Sequence, residues 1–324
     1  MWSVLKFAAR SAVRWITPPA RAVLAALIGC TLALALAAPA LTADGSTSRI
    51  PGTVYAERKV AKKPSSRASA RPENAQPESA QSALLQAAVA RLAPQQPGRT
   101  DVYAVGIAGW TSLDVFVSEI DGAFAAIARM LPIQDHTLRL LNNGKTLKSA
   151  PLATRDNLVA AIHAVAQLMD KDEDVLLLVM SSHGSPQGFG LQLPGGKVQT
   201  VAPYELKALL DSEGIKNRVV IVSACYSGIF VPPLANDDTM VLTAADAVSS
   251  SFGCAAQREW TFFGDAFFRH GLQSGADFAQ AFDHARSLIR GWETLDHLPP
   301  SNPQAYFGPA LAAKLDPLFR GSVH

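Results

Sequence analysis

A doubly wound α/β domain is the fold the sequence predicts, on three observations. Residues 174–182 and 218–224 are continuous β-branched and aliphatic runs, the pattern of strands buried on both faces of a parallel sheet. From Thr100 onward, stretches of helical period alternate with such runs. Each of the two runs ends in a reactive side chain, His183-Gly184 in one case and Cys225-Tyr226-Ser227-Gly228 in the other, and α/β sheets form their sites just beyond strand carboxyl ends.

The elements follow in order. Residues 102–108 are the first strand, and residues 113–130 a helix with Val117, Ile120, Phe124 and Ile127 turned inward. Residues 137–141 are a short strand, ended by the turn signal Asn142-Asn143-Gly144. Thr154 caps a helix running to Met169, which the His183 strand follows. Gly188, Gly190, Pro194, Gly195 and Gly196 make residues 189–201 a hairpin or loop excursion. Pro203 starts a helix ending near Gly214, and the Cys225 strand comes next. Residues 240–244 are a fifth strand, and residues 261–271 and 277–291 two further helices. Consecutive strands are often sheet neighbours, so the imidazole and the thiol can approach each other.

The remainder of the chain is built differently. Residues 1–97 carry 12 Lys and Arg against 4 Asp and Glu, whereas residues 98–324 carry 17 against 23, so a basic arm precedes a mildly acidic domain. Without a basic stripe on that domain, no nucleic-acid partner is expected. Residues 1–43 form a basic N-terminus followed by an uncharged apolar segment from Ala22 to Ala43, long enough to span a bilayer with its positive flank in the cytoplasm. An uncleaved anchor, a signal peptide cleaved near Ala38-Pro39-Ala40, and a lipoprotein signal at Leu27-Ile28-Gly29-Cys30 are the three readings of this segment. All three place the following domain outside the cytoplasm. Residues 44–99, rich in Pro, Ser, Ala and basic side chains, read as a flexible linker. Within it, residues 79–92 present Ala83, Leu84, Ala87, Ala88 and Leu92 on one face, a transient helix. Residues 100–324 are the folded domain.

A thiol is mostly protonated near neutral pH, and a nearby imidazole can take its proton during attack, so His183 and Cys225 point to a cysteine peptidase. The order His before Cys, 42 residues apart, excludes the papain arrangement and agrees with the caspase pattern. A structural half-cystine paired with Cys254 is the bland reading of Cys225. The other six histidines have no thiol-bearing partner motif and are assigned to surface or packing. No CxxC pair or His-rich cluster is present, and neither a metal nor an organic cofactor is expected.

Ser182-His183-Gly184 and Ser223-Ala224-Cys225-Tyr226-Ser227-Gly228 resemble the two catalytic motifs of the legumain-like C13 cysteine peptidases, of the caspase-like clan. The resemblance extends through Gly109-Trp110, Thr243-Ala244-Ala245-Asp246, Ser251-Phe252-Gly253-Cys254 and Trp260-Thr261-Phe262-Phe263-Gly264, over roughly residues 101–308, and is nearest to the bacterial branch. It implies a caspase-like three-layer domain with a mainly parallel central sheet. It also implies Cys225 as nucleophile, His183 as general base and acid, and the N–H groups of Gly184 and Cys225 as oxyanion hole. Asp246, Ser251 and Cys254 are the substrate-binding residues that the resemblance implies, Cys254 as a buried free thiol lining the pocket. Legumains carry an arginine shortly after the Gly-Trp pair, and Thr111-Ser112-Leu113-Asp114 has none, so an asparaginyl preference is not implied.

The expected activity is therefore endopeptidase cleavage of a peptide or protein through an acyl-enzyme, in a bacterial cell envelope, anchored in the inner membrane facing the periplasm or secreted there. Transpeptidation or transamidation on the same dyad is the alternative, as is a catalytically silent caspase-fold binding module.

Overall fold

The computed structural model describes residues 78–272 and 276–321. The basic apolar N-terminus, Cys30 and most of the expected linker lie outside the described residues. Among the described residues, no helix is long and apolar enough to cross a membrane.

The chain runs α1 (Glu78–Val89), β1 (Val102–Ala108), α2 (Val115–Ile127), β2 (Thr137–Leu141), α3 (Arg155–Leu168) and β3 (Val175–Ser181). It continues through the short strands β4 (Gly184–Ser185), β5 (Gly188–Gln192) and β6 (Val198–Val201), then α4 (Pro203–Ser212) and β7 (Arg218–Ser223). A 3₁₀ turn (Ser227–Phe230), α5 (Val231–Leu234) and β8 (Thr239–Thr243) follow. The last elements are α6 (Phe262–Gly264), which widens into a π-helical stretch (Asp265–Gly271), then α7 (Phe278–Leu295), β9 (Gln304–Phe307) and α8 (Pro309–Gly321).

Six strands make one sheet in the order β2-β1-β3-β7-β8-β9, parallel except for β9, which pairs antiparallel with β8. Period-two alternation divides each central strand between two cores. Val175, Leu177 and Val179 of β3 face the side covered by α2, the 262–271 helix, α7 and α8, whereas Leu176, Leu178 and Met180 face α1, α3 and α4. The result is the three-layer α/β domain with a mainly parallel sheet that was expected. The unpredicted sixth strand, β9, is four residues long and only half-buried, too short for a periodic signal.

The local signals that set the helices are visible. Thr154 accepts the Asn157 N–H at 2.9 Å to cap α3. Asp277 and Gln280 exchange reciprocal bonds at the start of α7. Pro232-Pro233 keeps the helical segment after Cys225 to a few residues.

The start of the domain differs from expectation. α1 is docked, not transient: Leu85, Ala88 and Leu92 are buried in the core under α3, while Ala83 and Ala87 of the expected face are exposed. Gln81 bonds the Leu152 N–H at 2.8 Å, and the Ala93 N–H bonds Asp135 O at 2.8 Å. The flexible linker therefore does not extend to residue 99, because residues from α1 onward bury enough apolar surface to offset their ordering entropy. A chain beginning at Gly98 is expected to be less stable than one beginning at Glu78 by roughly 3–6 kcal/mol, the burial of two leucines, measured as a lower melting temperature.

Candidate active site

β3 and β7 are hydrogen-bonded neighbours with Ser181 opposite Ser223, so His183 and Cys225 each follow two residues beyond a matched pair. The two loops then touch. A Cβ added to Gly184 would lie 2.0 Å from the Cys225 carbonyl oxygen, a separation that only glycine permits. Backbone from both motifs is thereby brought to one point.

The imidazole is held by aromatic edges. Trp110 lies 4.6 Å from His183 between ring centroids at 85°, and Phe116 lies 5.2 Å away at 78°. The small antiparallel sheet β4-β5-β6 fixes Trp110 there. Gln192 N–H donates to Gly109 O at 2.7 Å, the Thr111 hydroxyl donates to Gln192 O at 2.6 Å, and Gly190 N–H donates to His183 O at 2.9 Å. The hairpin expected over residues 189–201 thus joins the loop after β1 to the histidine loop. Burial among these rings pushes the His183 pKa below the ordinary imidazole value, favouring the neutral form that can accept a proton.

The thiol is held from the other side. Ser251 donates its backbone N–H to Cys225 Sγ at 3.3 Å and its hydroxyl at 3.7 Å, and the thiol reaches Ser251 O at 3.5 Å. Tyr226, next in the chain, is left-handed at φ 57°, its N–H bonded to Ser249 O at 2.8 Å. Ser251, expected at a substrate pocket, therefore sits against the Cys225 sulfur.

Both described cysteines are free. Burial, reinforced by nearby Cys225 and Glu119, pushes the Cys254 thiol up to about 12, so it stays protonated. It packs against the core on the α2 side of the sheet. Asp246 uses its carboxylate on the Val248 N–H at 2.9 Å and on Asn302 Nδ2 at 3.0 Å, the turn-capping role open to such a residue. Partial burial opposes its ionisation, but the Val248, Asn302 and Ser249 donors together hold its pKa below the usual range. It also lines a cavity of about 340 Å³ with Arg286, Arg290, Glu293 and Asn302. Trp260 and Phe262 pack on Phe268 and Trp292. His136, His163 and His270 meet Tyr103, Glu213 and Asp265 instead of the thiol.

Residues 152–308 match the model of the Peptidase C13 family. Over these residues the chain is similar to C13 cysteine peptidases. The match takes in both the His183 and the Cys225 motifs and begins after β2, so Trp110 and Phe116 lie before it. Among solved structures, caspase-1 from Spodoptera frugiperda is similar at 11% identity and a TM-score of 0.45, over 67% of this chain and 94% of that one. No curated protein matches the sequence.

Sequence reasoning missed two contributors to the site. Phe116 is indistinguishable in sequence from any core phenylalanine of α2. Glu119 lies on the same apolar face, fully buried, and its polar identity among Val115, Phe116, Ile120 and Ala123 was the available signal.

Proposed function

We propose that this C13-like domain cleaves peptide bonds through a Cys225–His183 dyad. Cys225 Sγ attacks the substrate carbonyl carbon while His183 takes the thiol proton and then delivers it to the leaving amine. The N–H groups of Gly184 and Cys225 hold the oxyanion. Water, activated by the same imidazole, then hydrolyses the thioester and regenerates the thiol. The observation that carries this reading is the register of β3 on β7, which supports a shared site by setting both motifs at one sheet edge with Gly184 against Cys225.

The apolar segment after the basic N-terminus supports a location in the bacterial envelope, inner-membrane anchored facing the periplasm or secreted there, with peptides or proteins as substrates.

The test is alkylation of the full chain with iodoacetamide between pH 5 and 9, read by peptide mass spectrometry, with His183→Ala alongside. Cys225 is expected to label ahead of Cys254 and to slow on loss of His183. With the His183 pKa lowered by burial, the proton acceptor survives mild acid. The acidic limb of peptidase activity should therefore fall below the ordinary imidazole value of about 6.5. Labelling indifferent to His183 would remove the dyad.

A further inference from the structure

One ionisable group beneath the site has no part in the chemistry just described. Glu119 lies on the sheet-facing side of α2, with no exposed surface, among Phe116, Ile120, Ala123, Phe263 and Ala266. A carboxyl in such a layer costs several kcal/mol unless its oxygens are bonded. They are bonded, and the partners are not scattered. Oε1 accepts the Ser181 hydroxyl at 2.9 Å, and Oε2 accepts the Thr261 N–H at 2.9 Å. Ser223 and Thr261 hydroxyls lie 3.1 Å apart, and Thr261 Oγ1 accepts the Gly264 N–H at 3.0 Å. Burial raises the Glu119 pKa, and the Ser223, Thr261 and Ser181 donors act against that rise. The space is equally specific: a Cβ on Gly264 would lie 2.1 Å from Oε2.

Each partner leads to the dyad. Ser181 is two residues before His183, and Ser223, its register partner on β7, is two before Cys225. Thr261 closes the loop whose opposite end, Ser251, bonds the Cys225 sulfur. An apolar side chain of similar volume would fill the layer at lower desolvation cost, since replacing buried polar groups by well-packed apolar ones is often neutral or stabilising. What an apolar group lacks is bond direction.

We propose that Glu119 is a positioning residue: its carboxyl ties the ends of β3 and β7 to the loop that holds the thiol, and so fixes the separation of His183 from Cys225. This rests on the dyad reading above. Misplacement of reacting groups by about 1 Å can cost a hundredfold in rate, so a clamp at this point acts on the chemical step.

The test compares Glu119→Gln, Ser181→Ala and Ser223→Ala in the full chain, with Cys225→Ala as reference. Kinetics on a peptide substrate are normalised to the folded fraction from thermal unfolding. Glu119→Gln is expected to lower kcat by roughly tenfold to a hundredfold while KM stays within about twofold, because the substrate contacts are elsewhere. Ser181→Ala combined with Glu119→Gln should lose no more than Glu119→Gln alone, the mark of one shared network. If Glu119→Gln does not fold, the two serine variants decide by the same kcat criterion. Unchanged kcat per folded molecule, or a loss confined to melting temperature, overturns the positioning role while Cys225→Ala remains inactive. Turnover that survives Cys225→Ala overturns the dyad itself and this proposal with it.

Discussion

Gly184→Ala is expected to lose at least about 10²- to 10³-fold in turnover, the scale of one oxyanion donor removed, without unfolding the domain. The added methyl carbon would lie 2.0 Å from the Cys225 carbonyl oxygen and 3.1 Å from Ala224 Cβ, so backbone must move. What moves is the contact between the two motifs. Gly291→Ala is the matching control. Gly291 is exposed within α7, and a Cβ there meets nothing within 4 Å, so that variant should keep its turnover and gain about 0.5–1 kcal/mol of stability. Peptide hydrolysis and thermal melts on the pair separate a site effect from a general glycine effect. Full turnover in Gly184→Ala would show that the loops part in the working enzyme.

Cys225→Ala should cost about 10⁴-fold or more in kcat, because a nucleophile and its base act as a unit and the loss of either removes most of what both supply. His183→Ala should fall nearly as far, and the double variant little further. Such non-additivity distinguishes a dyad from two independent contributors. Substrate binding in Cys225→Ala, read by competition against the parent enzyme, should persist. A protein that binds peptides equally well in both forms and hydrolyses them in neither would be a recognition module, not a peptidase.

The strands that carry the reactive residues were the most legible part of the sequence. A run such as Val175-Leu176-Leu177-Leu178-Val179-Met180 has no polar face, so only a strand buried on both sides accommodates it, and β3 is buried throughout. β1, also buried throughout, was legible to the residue for the same reason, and β2 from the turn signal that ends it. The docking of α1 was not legible, because its small and polar composition resembles a linker, and buried Leu85 and Ala88, with Leu92 just after the helix, become informative only beside α3. β9 was hidden by its length and by half-buried side chains that take their place from β8. Within the site, the meeting of the His183 and Cys225 motifs at one sheet edge could be read from strand order, whereas Ser251 on the thiol, Trp110 and Phe116 on the imidazole, and Glu119 beneath both are products of tertiary contact. Val117, expected to face inward, is only half-buried, because Phe116 and Glu119 take the sheet-facing positions.

The left-handed backbone at Tyr226 bears on any attempt to harden this enzyme against heat. A non-glycine residue in that region costs of order 1 kcal/mol and persists only where the surroundings enforce it. Glycine at this position would relax the strain, yet it would also free the peptide that Ser249 O pins directly beside Cys225. Thermal tolerance and aim of the sulfur pull in opposite directions there, so a search for robust variants that scores melting temperature alone would drift toward stable proteins with idle thiols.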